Sequence, residues 1–264
     1  MNLIKKFISG LMFAFGFSIR RTPVLARVEE LARSRDLLGL LAASPITKSL
    51  TLEQSFRVID KSRSQLGQDI LALSQLGFEK SGYFVEFGAT NGFDLSNTFL
   101  LEKEFGWKGI LCEPAKQWHE GLMANRNCAI DTRCVYSSTG EKIQFSEASI
   151  GELSTISSFR KFDGNRTQIR FQNTYEVETV TLKDLLLSHG APSHIDFLSI
   201  DTEGSEFEVL KEFDFSMYSF GLICVEHNFT ENREKLSRLL IENGYSQVFR
   251  ELSAWDDWYV GSRG

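Results

Sequence analysis

The alternation of short apolar runs with amphipathic segments is the feature that most constrains this fold. Between residues 82 and 260 the apolar runs have the length of buried strands, and the segments between them have helical spacing. Strands joined through helices need crossover connections, which make a sheet mainly parallel and cover both of its faces. The pattern therefore predicts a doubly wound, mostly parallel α/β sheet. The seven expected strands are 83–87, 110–113, 133–136, 195–200, 222–226, 246–249 and 255–260, the last two antiparallel, and the helices following some of them are 96–105, 115–125, 205–213 and 232–243.

Composition fits a globular chain and excludes several kinds of partner. Of the 264 residues, 42% are apolar and 24% are charged, close to the average for soluble domains. The formal charge is −6, so no general basic surface can neutralise nucleic acid phosphates, and no nucleic acid partner is expected. The four cysteines have no paired spacing and the four histidines no metal-ligand spacing. We therefore expect reduced core thiols and no structural zinc site.

The N-terminal arm differs in character from the rest of the chain. Residues 7–19 form an uncharged, mostly apolar run between two pairs of basic residues. As a helix this run would be about 20 Å long, short of the roughly 30 Å needed to cross a bilayer. It fits a helix lying on an anionic membrane surface through residues 1–21, and equally a helix packed on the domain or on a partner. Export is not expected, so we predict a cytoplasmic protein, with peripheral contact at the inner face of a membrane under the first interpretation.

Two domain boundaries follow from the remaining composition. We predict a helical arm over 1–50, with a linker over 43–51, and a single α/β domain over 51–264. Residues 141–179 fit the strand and helix rhythm poorly and are predicted to be an insertion that acts as a lid over the site. Ligands of such sheets bind beyond the carboxyl ends of the strands, so the loops after these ends are where chemistry is expected.

The first two expected strands end in residues typical of a nucleoside site. Gly88 and Gly92 follow the first strand and let the backbone come close to a ligand, while Glu86 precedes the turn. Glu113 ends the second strand, where a carboxylate can accept both hydroxyls of a ribose. The G-x-G-x-x-G pattern that binds a pyrophosphate is absent. A cationic nucleoside without phosphate fits these residues, and S-adenosylmethionine is such a nucleoside.

Other interpretations of the same residues stay open. Acids at strand ends are common, and the glycines alone fit ordinary turns. A nicotinamide-dependent oxidoreductase would share the acid at the tip of the second strand, although the third glycine is missing. A catalytically silent binding module would keep the nucleoside pocket and tolerate the loss of acids elsewhere. Binding of S-adenosylmethionine against NAD, and the activity of variants, separate these alternatives.

From about Ser64 to Val260 the sequence resembles the FkbM-type methyltransferases, a family within the class I S-adenosylmethionine-dependent fold, which has a seven-stranded Rossmann-like sheet. The matching segments include SQxGQD from residue 64, FVEFGA with NG from 84, SNT at 96–98, GWxG with EP from 106, TLxDLL from 181, DFLSIDTEG from 196 and EHN from 226. Thr90 replaces the middle glycine of the general class I turn.

The resemblance implies O-methylation, commonly of a sugar hydroxyl in a polysaccharide, a lipopolysaccharide or a glycosylated metabolite. It implies a small-molecule or glycan acceptor near Asp201, Glu203 and His227. It also implies that Glu86, Gly88 and Ala89 line the methionine end of the donor, Glu113 its ribose, and Tyr136 with Ser137 its adenine. The full set expected to contact the donor is Glu86, Phe87, Gly88, Ala89, Asn91, Gly92, Glu113, Pro114, Tyr136, Ser137 and Asp201.

A sugar hydroxyl is a poor nucleophile until its proton is removed, so a general base is expected. Asp201 and Glu203 follow one strand, and Glu226 with His227 end the neighbouring strand, so all four belong to one cleft. We predict His227 as the base, oriented by Glu203 or Glu226. A loop histidine with acids that cap the next helix is the alternative. A magnesium or calcium ion held by the three acids is a further one, although no metal ligand is assigned.

Overall fold

A seven-stranded sheet organises the computed structural model, which describes residues 49–78, 81–149, 151–159, 170–250 and 253–261. The strands are β1 Tyr83–Phe87, β2 Lys108–Cys112, β3 Ala129–Asp131, β4 Cys134–Val135, β5 Lys142–Ala148, β6 Thr155–Ile156, β7 Phe171–Val180, β8 His194–Ile200, β9 Ser219–Glu226, β10 Tyr245–Val248 and β11 Asp256–Gly261. The α-helices are α1 Ser49–Val58, α2 Gln68–Leu76, α3 Phe99–Phe105, α4 His119–Asn125, α5 Leu182–Ser188, α6 Glu206–Leu210 and α7 Asn232–Glu242.

The large sheet has the order β10-β11-β9-β8-β1-β2-β3. All its neighbouring strands are parallel except β11, which runs antiparallel to both β9 and β10. The expected α/β fold with a mostly parallel central sheet is confirmed, and the last two strands are antiparallel as expected. The strand order reverses between β1 and β8, which opens a crevice at their carboxyl ends.

The third strand of this sheet differs from the sequence expectation. Residues 133–136 were expected there, but β3 takes the place and β4 pairs with β7 in a second sheet. The carboxylate of Asp131 accepts hydrogen bonds from the backbone N and the guanidinium of Arg133, which turns the chain out of the large sheet. Because only Asp131 of β3 is fully buried, this strand has no apolar run that a sequence pattern could detect.

The segment 141–179 forms most of the second sheet, whose order is β4-β7-β5-β6. Strands β5 and β7 pair antiparallel and bury Phe145 and Val177 against Ile156 of β6. The segment is therefore a small sheet beside the large one, and residues 160–169 within it lie outside the described part. Its function as a lid stays a prediction.

Side chains of the large sheet alternate between two cores. Helices α5 and α7 cover one face and α2 and α3 the other. The first core includes Val85, Phe87, Leu198, Ile200, Leu186 and Leu240, and the second includes Phe84, Leu111, Phe197, Leu222, Leu73 and Leu101. Each fully buried side chain of this size stabilises the fold by about 1.5–3 kcal/mol relative to exposure. This packing fixes the carboxyl ends of the strands that carry the site.

Several helices are shorter than their patterns indicated. Residues 96–98 precede α3 and bind a buried carboxylate, and Lys116–Trp118 form a 3-10 turn before α4. The expected helix over 205–213 is reduced to α6, and α1 begins at Ser49, inside the expected linker 43–51. The interpretations of residues 1–48 lie outside the described residues. In the described part no helix is long and apolar enough to cross a membrane.

The four cysteines are free, as expected for reduced thiols. Cys112, Cys134 and Cys224 are buried and Cys128 is partly buried. Burial raises the pKa of both Cys128 and Cys134 to about 12, so these thiols stay protonated and unreactive at neutral pH.

Candidate active site

A cavity of about 260 Å³ opens at the carboxyl ends of β1, β2, β8 and β9. Eight of the residues expected in the site line it: Glu86, Phe87, Gly88, Glu113, Pro114, Asp201, Glu203 and Glu226. The cavity lining does not include the other six, Ala89, Asn91, Gly92, Tyr136, Ser137 and His227. The structure thus brings most of the expected residues to one place, from four different strands.

The turn after β1 requires glycine at position 88. Gly88 has φ +74°, and a Cβ added there would lie 1.9 Å from the backbone oxygen of Asp201. Its backbone N donates to the carbonyl oxygen of Cys112 at 3.1 Å. The turn is therefore clamped between β2 and the loop after β8, which leaves no room for a side chain.

Asn91 and Gly92 shape the loop after β1 and do not line the cavity. The side-chain oxygen of Asn91 accepts hydrogen bonds from the backbone N of Phe93 and Asp94. A Cβ on Gly92 would lie 2.6 Å from the side chain of Arg126, so this glycine permits close packing of the loop on α4. Both residues were expected to contact a donor, and the structure gives them a role in shaping the turn.

Glu86 lines the cavity and is also the centre of a buried hydrogen-bond network. Its Oε2 accepts from the hydroxyls of Ser96 at 3.0 Å and Thr98 at 2.5 Å, and its Oε1 accepts from the backbone N of Asn97 at 2.7 Å. Arg126 donates to the same two hydroxyl oxygens, at 3.0 and 2.9 Å. This network fixes the Glu86 carboxylate. At the N-terminal end of α3, its side chains bind backbone N–H groups in place of a standard helix cap.

Glu113 is buried where the sequence expected a ribose-binding acid. Its Oε2 accepts from the backbone N of Thr90 at 2.8 Å, and its Oε1 accepts from the backbone N of Ala115 at 2.8 Å. Burial raises the pKa of Glu113 to about 7, against the lowering effect of these two bonds. A carboxylate has about four lone-pair sites, so two remain for ligand hydroxyls when it is ionised.

Three acids converge at the ends of β8 and β9. Ligand oxygens of Asp201, Glu203 and Glu226 all lie within 4.8 Å of one another. Burial, reinforced by the neighbouring acids, raises the pKa of Asp201 and Glu226 well above the usual range. Glu203 has φ +59° and Asn228 φ +44°, left-handed conformations that cost energy in non-glycine residues. The backbone thus supports a group of acids that repel one another.

His227 does not join these acids. Its ring is almost fully buried outside the cavity lining, and its Nδ1 accepts from the backbone N of Phe229 at 3.0 Å. Its acidic neighbour is Asp257, at 3.7 Å from Nε2, rather than the expected Glu203 or Glu226. Burial lowers the pKa of His227, only partly opposed by the charge of Asp257. The arrangement gives His227 the surroundings of a neutral structural histidine.

The expected adenine-binding residues Tyr136 and Ser137 do not line the cavity, whereas the two residues before them do. Cys134 and Val135 line the cavity, whereas the ring of Tyr136 packs edge-on against Phe159 at 6.4 Å. The backbone N of Tyr136 donates to Val180, which ties this segment to the second sheet. Because β4 leaves the large sheet, the side chains that face the cavity come two residues earlier than the sequence indicated.

Sequence reasoning missed several polar lining residues: Gln65, Gln68, Ser96, Asn97, Asn228 and Trp255. Most of them lie in the matching segments quoted above, which is the signal that could have found them. Asn97 is the most informative of them. Its Nδ2 donates to Ser199 at 2.9 Å, while its Oδ1 is buried and has no hydrogen-bond partner.

The fold and site are those of an α/β protein with a ligand cavity at the carboxyl edge of a mostly parallel sheet. A family profile described as the methyltransferase FkbM domain matches residues 86–258. The chain therefore belongs to the FkbM methyltransferase family. No curated protein sequence matches the chain significantly.

Two solved structures are similar to the chain. One is a methyltransferase FkbM from Methylobacillus flagellatus KT, with 11% identity and a TM-score of 0.47 over 88% of this chain and 59% of that one. The other is a ribosomal protein L11 methylase from Lactobacillus delbrueckii subsp. bulgaricus, with 10% identity and a TM-score of 0.37 over 74% of this chain and 78% of that one. The chain thus spans 59% of the length of the first structure.

Proposed function

We propose that this protein is an S-adenosylmethionine-dependent O-methyltransferase that methylates a sugar hydroxyl in a glycan, a lipopolysaccharide or a glycosylated metabolite. The observation that carries the proposal is that Glu86, Gly88 and Glu113 line the same cavity as Asp201, Glu203 and Glu226. Under the proposal, the nucleoside site and the acidic acceptor site are adjacent parts of this cavity. Under this proposal the central sheet is the doubly wound, Rossmann-like sheet of class I methyltransferases.

The residues present fit a cationic nucleoside. The Glu86 carboxylate and the unpartnered Asn97 Oδ1 supply acceptors for an ammonium group, because both line the cavity. Ionised Glu113 supplies acceptors for ribose hydroxyls, since each of its oxygens makes one hydrogen bond to the backbone. The apolar side chains of Val135 and Ile156 offer a surface for a flat base. A pyrophosphate would meet the carboxylates of Glu86 and Glu113, which argues against a dinucleotide.

The donor, when bound, supplies a methyl group on a positively charged sulfur, and its carbon–sulfur bond breaks as the acceptor oxygen takes the methyl. Correct alignment of the acceptor is worth several kcal/mol of barrier, up to roughly 7–11. We assign the positioning of the acceptor hydroxyl, and acceptance of its proton, to the acids Asp201, Glu203 and Glu226. All three line the cavity, and His227 does not.

The sugar acceptor rests on the family and on the chemistry of the cavity wall. Carboxylates and side-chain amides are suitable partners for hydroxyl groups, and Asn228, Gln65 and Gln68 line the same cavity as the acids. We further propose a cytoplasmic location. Contact of residues 1–21 with a membrane, their packing on the domain or a partner, and the boundary between arm and domain near residue 51 remain predictions.

Mass analysis of glycans tests this proposal. Glycans extracted from a deletion strain should lack the mass of one CH₂ group relative to the parent, and the wild-type gene should restore it. A gene carrying Asp201→Asn should fail to restore it at equal protein level. Identical glycan masses in the parent and the deletion strain would contradict the glycan acceptor.

A further inference from the structure

The acids at the ends of β8 and β9 have the spacing of ligands around one ion. Two oxygens that bind the same ion lie at most twice the metal–oxygen bond length apart, which is about 4.2 Å for Mg²⁺ and about 5 Å for Ca²⁺. The carboxylate oxygens of Asp201, Glu203 and Glu226 fall within 4.8 Å of one another. A spacing within 4.8 Å lies inside the span of one Ca²⁺ and close to that of the smaller Mg²⁺.

One of these carboxylates has an oxygen that nothing satisfies. Oε2 of Glu226 is buried without a hydrogen-bond partner, and the residue is only 6% exposed. Unsatisfied buried oxygens are rare, and one that lies among other carboxylates calls for a cation or a donor group. Glu226 lines the cavity, so an ion that enters there comes next to its carboxylate.

Two of the three acids, Asp201 and Glu226, have no cationic partner in the described part of the chain, since neither forms an ion pair with a lysine or arginine there. Asp201 shares a side-chain hydrogen bond with Glu226, and the charged groups that act on it are further acids, Glu203, Asp256 and Glu206. Buried charges without partners are strongly unfavourable, and they are normally paired or bound to metal.

We propose that Asp201, Glu203 and Glu226 bind a hard divalent cation of the Mg²⁺ class. Three carboxylate oxygens form a donor set that suits Mg²⁺, Ca²⁺ or Mn²⁺ and not a soft metal. The amide of Asn228, whose Nδ2 donates to Glu203 at 3.3 Å, lies beside the ion and helps to orient that carboxylate. The ion completes the buried coordination that the acids leave open.

The role of the ion rests on the proposed function. A cation beside the donor pocket would bind the acceptor hydroxyl oxygen and lower the pKa of that hydroxyl. The ion would position the hydroxyl, and its proton would pass to a carboxylate oxygen of these acids that does not bind the ion, as the proposed function assigns. Cation binding itself does not depend on the identity of the acceptor, so it can be tested without one.

Electron paramagnetic resonance of Mn²⁺ tests the site directly on the full chain after EDTA treatment and dialysis. Wild-type protein should bind one Mn²⁺, and Mg²⁺ should displace it. Glu226→Gln should weaken binding by more than about tenfold, since even outer-shell changes cost that much. Glu147→Gln is the matched control, because Glu147 is a buried acid of β5 that binds Tyr175 and Asn173 outside the group. It should bind Mn²⁺ like the wild type.

Thermal unfolding excludes a simple folding defect. Without metal, Glu226→Gln should unfold at or above the wild-type temperature, because the substitution removes repulsion between buried acids. MgCl₂ should raise the midpoint of the wild type and of Glu147→Gln, but not that of Glu226→Gln. A wild-type protein that binds no Mn²⁺, or a Glu226→Gln variant that binds it equally well, would overturn the proposal.

Calorimetry with S-adenosylhomocysteine on the same samples separates this proposal from the proposed function. Nucleoside binding without Mn²⁺ binding would overturn the metal site and leave the methyltransferase assignment in place. Mn²⁺ binding without nucleoside binding would support the site and contradict the assignment.

Discussion

Replacing Glu86 by Gln changes one atom at the centre of the hydrogen-bond network beside the cavity. The amide oxygen can keep the bond from the backbone N of Asn97, which leaves the new NH₂ facing the hydroxyls of Ser96 and Thr98. Both hydroxyl oxygens already accept from Arg126, so their own hydrogens lose their acceptor. Two hydrogen bonds to a charged group are lost, at about 1.5 kcal/mol each. We expect a loss of about 3 kcal/mol in the free energy of unfolding.

A second effect concerns the ligand. Glu86 lines the cavity, so loss of its charge should weaken binding of S-adenosylmethionine by at least about tenfold, or about 1.4 kcal/mol. Urea unfolding measures the first effect and isothermal titration calorimetry the second. Measurements should be made well below the unfolding transition, so that the two effects are not confused.

Glu102→Gln is the matched control for this prediction. Glu102 also holds Arg126, through Nε at 2.5 Å, and it accepts from the backbone N of Asn127, but it does not line the cavity. It should lose about 2–3 kcal/mol of stability while donor affinity stays within about twofold, because only the support of Arg126 is changed. Equal loss of donor affinity in both variants would refute a direct role of Glu86 in ligand binding.

Three further predictions follow from single residues. Gly88→Ala should lower the free energy of unfolding in urea by more than about 3 kcal/mol, because its Cβ would meet Asp201. Gly140→Ala, also at positive φ but with open space around it, should lower it by about 1–2 kcal/mol. Equal losses in the two variants would contradict the close approach of Gly88 to Asp201. Because burial raises the pKa of Glu113 to about 7, its ionised form is lost below that pH, and donor affinity should fall about tenfold from pH 8 to pH 6 and become flat in Glu113→Gln. The same raised pKa means that the contribution of Glu113 to stability is complete below its ordinary value of 4.5 and is lost as the pH rises through about 7. His227→Ala should lose about 1–2 kcal/mol of stability yet keep its turnover within about threefold, whereas loss of a general base would cost about 10²-fold or more.

Much of the fold could be predicted because its signal is local. The strands β1, β8 and β9 are mostly apolar and buried over most of their length, which a sequence pattern detects. β3 gave no such signal, because two of its three residues are only partly buried and its last residue is an acid. Its place in the sheet depends on the long-range pairing with β2, which periodicity does not encode.

In the site, too, some residues could be predicted from the sequence and others could not. Residues at strand ends, such as Glu113 and Asp201, could be placed because topology brings the carboxyl ends of parallel strands together. The direction of a loop side chain could not be predicted, because it depends on backbone angles and on partners far away in sequence. His227 turns towards Asp257 of β11, 30 residues further along the chain, and so leaves the cavity that its neighbour Glu226 faces.

The account depends above all on a pocket for a cationic adenosine nucleoside without phosphate. Isothermal titration calorimetry of the purified chain with S-adenosylmethionine, S-adenosylhomocysteine and NAD tests that pocket most directly. We expect one site per chain for each of the first two compounds and no heat with NAD. Binding of NAD without binding of either adenosyl compound would contradict it.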